Sequence, residues 1–95
     1  MIVGVMTAHL SLIGVTSLKG KRSIVKSLIG RLKSRFNISI AEIDHQDSKS
    51  IAVIGIAIVS NESRFIEKAF DSMLDFMRND GRFYLGHVER ETFGI

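Results

Sequence analysis

Apolar and polar positions change their period along this chain, and six elements follow from the changes. "IVGVMTAHLSLI" (residues 2–13) is dense in apolar and β-favouring residues, which predicts a strand. Ser17 is a helix-capping residue type, and apolar positions at Leu18, Val25, Leu28, Ile29, Leu32 and Phe36 predict a helix to about Phe36. "NISIAEID" (37–44) alternates for much of its length, as a half-buried strand does. "SIAVIGIAIVS" (50–60) is a nearly continuous apolar run between polar turns and reads as a central strand. Ser60 or Asn61 is expected to cap a second helix, with Glu62 in its first turn near the positive dipole end. Its apolar stripe is Phe65, Ile66, Ala69, Phe70, Met73, Leu74 and Met77. Asn79, Asp80 and Gly81 stop that helix, with Gly81 suited to a left-handed conformation, and "RFYLGHVERETF" (82–93) is the last strand.

The order βαββαβ, joined by short right-handed crossovers, predicts an α+β ferredoxin-like plait in a single domain spanning residues 1–95. Four antiparallel strands would carry both helices on one face, with the first and third strands central. The third strand has Ile54, Ile56 and Ile58 on one side and Val53, Ala57 and Val59 on the other. Two apolar sides need two covers, so a homodimer through the open sheet face is expected. The alternative is a mild patch kept small by Gly55 and Ala57.

Charge changes the picture for the first helix. No acid occurs before Glu42, so residues 1–41 carry +7 and the rest −4, for a net +3. At about 100° per residue, Val25, Leu28, Ile29 and Leu32 form the buried arc. Lys19, Arg22, Lys26 and Lys33 fall on one flank, and Arg31 and Arg35 on the other. Ser23, Ser27, Gly30 and Ser34 lie between the flanks, opposite the core. An idle solvent face usually carries Glu–Lys pairs four apart. Here no acid is available within the helix, and Gly30 gives up about 1 kcal/mol of helix stability against alanine. A low ridge between cations lets a phosphate backbone approach closely, and serine hydroxyls, Lys and Arg are its usual contacts. Lys21 and the other groups of "SLKGKR" add an N-terminal dipole end to the same surface. The alternative is a solvated basic face neutralised by acids elsewhere in the fold.

Other chemistries fit less well. No apolar run reaches the roughly 18 residues that span a bilayer, and "MIVGVMTAHL" lacks the basic start of a signal peptide. The absence of cysteine excludes disulfides and thiolate metal sites and fits a reducing cytoplasm. RNA recognition motifs stack bases on aromatics of their first and third strands, and neither strand here has one. His9, His45 and His87 fall on three different strands or their edges with no ligand spacing, so no metal is expected. Acylphosphatases share the βαββαβ order, but their glycine-rich phosphate cradle is missing from "IGVTSLKGKR". No nucleophile–base arrangement can be read, and neither an enzyme nor a cofactor is expected.

Three stretches, "SLKGKRSIVKSL", "RFNISIAEIDHQD" and "AVIGIAIVSN", together with the overall length, resemble the YlxP-like family of small bacterial proteins, a domain of unknown function. The likeness covers roughly residues 2–90, and is most specific at Leu18–Arg22 (L-K-x-K-R) and at "AEIDHQD" (41–47). The resemblance implies a ferredoxin-like fold and a bacterial cytoplasmic protein. Genes of such proteins often lie beside those for translation initiation and ribosome maturation, which implies ribosomal RNA as a partner. Family members commonly carry an aromatic after "HQD", where this chain has Ser48 and Lys49.

The expectation is therefore a non-enzymatic accessory protein that binds structured RNA through the first helix. Its contacts would be Lys19, Lys21, Arg22, Ser23, Lys26, Ser27, Gly30, Arg31, Lys33, Ser34 and Arg35. The alternatives are a protein–protein adaptor docking this helix on an acidic partner and, behind it, a phosphate-cradling hydrolase.

Overall fold

The computed structural model describes all of residues 1–95. The elements are β1 (Ile2–Leu12), α1 (Leu18–Arg35), β2 (Ser39–Asp44), β3 (Ile51–Ser60), α2 (Ser63–Arg78) and β4 (Phe83–Gly94). The sheet order is β2-β3-β1-β4 with every neighbouring pair antiparallel. This is the ferredoxin-like plait, with β1 and β3 central.

Alternation along the strands sorts side chains to two faces. Met6, Ala8, Leu10 and Leu12 of β1 and Ala52, Ile54, Ile56 and Ile58 of β3 point to the helices and are buried. They meet Val25, Leu28 and Leu32 of α1 and Ile66, Phe70, Met73 and Met77 of α2 in one continuous core. Full burial of each such side chain contributes about 1.5–3 kcal/mol. Gly4 lets α2 settle onto β1, because a Cβ there would collide with Ile66 and Phe70.

Ser17 caps α1 by accepting a hydrogen bond from the Gly20 N–H at 3.0 Å. The start of α2 differs from expectation. Glu62 itself is the N-cap and makes no side-chain capping bond, while Ser60 Oγ accepts from the Glu62 N–H at 3.2 Å. Ser60 thus holds the turn one step before the helix. Gly81 takes the left-handed conformation (φ 84°), two residues beyond the C-cap Asn79.

The face away from the helices presents Val5, Ile43, Ile51, Val59, Tyr84 and Phe93, all exposed. Val53, on the same face, is buried, and Ile43 lies over Gly55 where a Cβ would be 2.9 Å from its Cγ2. No helix is long and apolar enough to cross a membrane.

Candidate nucleic-acid interface

The first correction concerns Lys21. Its spacing from Val25, Leu28 and Leu32 puts it in the centre of the buried stripe of α1, and its side chain is 0% exposed. An unpaired ammonium could not stay there, since burying a bare charge costs far more than one contact returns. Lys21 Nζ lies 2.9 Å from Glu42 Oε2 on β2 and donates a hydrogen bond to the carbonyl oxygen of His45. The carboxylate contact has ion-pair distance but not hydrogen-bond alignment, so Glu42 Oε2 is enclosed without an aligned donor. Lys21 is therefore not part of a nucleic-acid surface.

What Lys21 does is structural. His45 sits at φ 57°, a left-handed conformation uncommon for a residue with a Cβ. Its N–H donates to Asp44 Oδ1 at 2.8 Å, and its carbonyl accepts from Lys21 and, at 3.0 Å, from the Ser48 N–H. Ser48 Oγ in turn accepts from the Ser50 and Ile51 N–H groups at 3.3 and 3.1 Å. The two most specific stretches of the sequence, L-K-x-K-R and "AEIDHQD", are thus one unit, with Lys21 as the pin between α1 and the β2–β3 turn. Ser48 closes that turn with its hydroxyl.

The other six cations of α1 behave differently. Lys19, Arg22, Lys26, Arg31, Lys33 and Arg35 are exposed, and none has a carboxylate within ion-pair distance. Ser23, Gly30 and Ser34 lie exposed between the two flanks, and the space above Gly30 is open. Ser34 Oγ donates to the Arg31 carbonyl at 2.8 Å, so its hydroxyl turns back on the helix. Ser27 is the second correction: it is half-buried and accepts from Arg82 Nη1 at 3.1 Å, which ties it to the α2–β4 turn.

The Arg31 and Arg35 flank faces α2. Arg35 lies over the Phe76 ring with its guanidinium carbon 4.5 Å from the centroid, a cation–π contact that fixes the side chain and leaves its charge uncancelled. Arg82 binds Asp80 twice, at 2.6 and 2.7 Å. Those hydrogen bonds, against the cost of burial and with a weaker contribution from the charge of Arg31, hold the Asp80 carboxyl below the usual carboxylate range. The acids of α2 are occupied too. Glu67 and Asp71 bind Arg90 of β4 at 2.7 and 2.8 Å, and Asp75 binds Arg78 at 3.2 Å. Thr92 and then Arg90, by hydrogen bonding, lower the Glu67 carboxyl from its ordinary value.

His9 and His87 meet on the open sheet face with ring centroids 5.6 Å apart, whereas His45 belongs to the Lys21 turn. No group of three metal-ligating side chains converges anywhere in the structure. Sequence reasoning missed the Lys21–Glu42 pair, although the spacing 21, 25, 28, 32 places that lysine among core positions.

The structure can be set beside known proteins. A de novo designed protein, Foldit4, superposes with a TM-score of 0.57 at 14% identity, over 100% of this chain and 99% of that one. A mutant of SnoaB, a cofactor-independent oxygenase from Streptomyces nogalater, superposes with a TM-score of 0.54 at 9% identity, over 98% of this chain and 92% of that one. Likenesses at such identity speak for the fold alone. The uncharacterized protein YlxP of Bacillus subtilis (strain 168) is 39% identical over 61 residues, which is 64% of this chain and 66% of that protein, just under two thirds of its length. The family described as "Protein of unknown function (DUF503)" matches residues 3–90, a span that includes both stretches joined by Lys21. The chain belongs to that family.

Proposed function

We propose that the protein is a non-enzymatic cytoplasmic accessory factor that binds structured RNA through the exposed face of α1, with ribosomal RNA as the first candidate. The observation that carries this reading is the set of six exposed, acid-free cations around the low ridge of Ser23, Gly30 and Ser34. Lys19, Arg22, Lys26 and Lys33 contact phosphates on one flank, and Arg31 and Arg35 on the other. Such contacts position a backbone without reading base sequence. Copurification tests the reading: tagged protein recovered from cells brings RNA with it, and nuclease removes the associated material. Recovery of one acidic protein that survives thorough nuclease treatment would instead favour the adaptor.

A second copy of the chain is the proposed occupant of the open sheet face. Six exposed apolar side chains on that one face support this, since exposed apolar area of this kind on a sheet usually marks an interface. Antiparallel strands about a two-fold axis make the face self-complementary. Sedimentation equilibrium is expected to give a dimer that Val5→Glu converts to monomer. A monomeric parent protein would refute it.

A further inference from the structure

Phe65 falls in the apolar stripe of α2 by sequence, yet the fold leaves it 55% exposed. It stands at the mouth of a cavity of about 520 Å³ between the C-terminal end of α1 and the first half of α2. The cavity exists because β2 begins only at Ser39, paired with Ala57, so Ile58 and Val59 of β3, paired with β1 on one side, have no strand on the other. The chain leaving α1 through Phe36 and Asn37 walls the gap without filling it.

The lining has a definite chemistry. Ile58 and Ala69 form an apolar floor, and Phe36 and Phe65 supply two aromatic rings. Arg35 and Lys68 bring positive charge to the rim, neither is ion-paired, and no acid lines the cavity. Asn37, which has a carboxamide able to donate and accept, completes one side. Arg35 belongs both to this rim and to the cationic flank of α1, so the cavity continues the basic face.

We infer that this cavity takes one unpaired nucleotide of the bound RNA. An unstacked base enters against Phe65 and Phe36, its flanking phosphates rest on Arg35 and Lys68, and its hydrogen-bonding edge meets Asn37. Proteins recognise single-stranded RNA by splaying bases onto aromatic or guanidinium planes and bonding their edges. The volume lies within the range of small-ligand sites, so a single nucleoside fits the site and a duplex does not. The inference rests on the RNA reading of α1 and adds a preference that phosphate contacts alone cannot generate.

Fluorescence anisotropy with two labelled RNAs tests it: an uninterrupted hairpin, and the same hairpin with one bulged uridine. The bulged RNA is expected to bind about tenfold more tightly, the scale of one base–aromatic stack. Phe65→Ala should erase that preference while leaving affinity for the uninterrupted hairpin unchanged, and Tyr84→Ala, which removes a more exposed ring on the opposite face, should alter neither. Equal binding of the two hairpins by the parent protein, or a preference that survives Phe65→Ala, overturns the cavity assignment and leaves the α1 reading standing. If neither hairpin binds, the α1 reading itself fails, and the cavity assignment falls with it.

Discussion

α1 and α2 lie on the same face of one sheet, yet their charges have opposite fates. On α2 the acids Glu67, Asp71 and Asp75 each hold an arginine, two of them sharing Arg90 from the neighbouring strand. On α1 six cations point outward with no carboxylate in reach, while the seventh, Lys21, has turned inward to pin Glu42 and the His45 turn. The difference teaches that net charge is a poor guide to a surface. One lysine in the cationic run of α1 serves the fold, and the others are left available.

The sharpest way to break the comparison is to remove the inward cation. Lys21→Met should leave Glu42 Oε2 enclosed without its counter-charge and the His45 carbonyl with the Ser48 N–H as its remaining donor, and cost about 3–5 kcal/mol in denaturant unfolding. The same variant, where folded, should keep its RNA affinity. Outward cations should give the reverse result. Lys26→Glu with Lys33→Glu is expected to weaken RNA binding by about tenfold or more at low salt and to leave unfolding within about 0.5 kcal/mol of the parent, as exposed substitutions do.

A smaller effect belongs to Asp80, whose side chain is 1% exposed and held by Arg82. Asp80→Asn should cost about 1.5 kcal/mol near neutral pH, the scale of a charge-assisted hydrogen bond. Because the folded carboxyl titrates below its unfolded value, its contribution is complete above about pH 4 and is lost as pH falls through the folded value. Acid unfolding curves should therefore show the parent losing more stability than Asp80→Asn in that window. The smallest effect is at Gly30. With open space above it, Gly30→Ala should stabilise α1 by up to about 1 kcal/mol, and Gly30→Gln should lower RNA affinity by obstructing the ridge, without loss of stability.

The six elements were legible in the sequence because each is marked by its own apolar period, and strand order followed from short crossovers. Boundaries moved by only one or two residues, as with β2 starting at Ser39 instead of Asn37. What stayed illegible depends on contacts between distant positions. The partner of Lys21 is 21 residues away across a crossover, so a count of cations placed it on the surface with its neighbours. Ser27 was read as ridge because Arg82 reaches it from a turn 55 positions later. Phe65 was read as core because the stripe of α2 is wider than the sheet beneath it, and the shortness of β2 that exposes Phe65 has no local signature.

The central claim is that the outward cations of α1 meet phosphates, and a salt titration of RNA binding tests it most directly. Affinity of the parent protein for a ribosomal RNA hairpin, measured from low to moderate salt, should fall linearly on a log–log plot. Four to six phosphate contacts predict a slope of about −3 to −5, and Lys26→Glu with Lys33→Glu should flatten it by about 2. A slope near zero, or one that this double substitution does not change, would contradict the account.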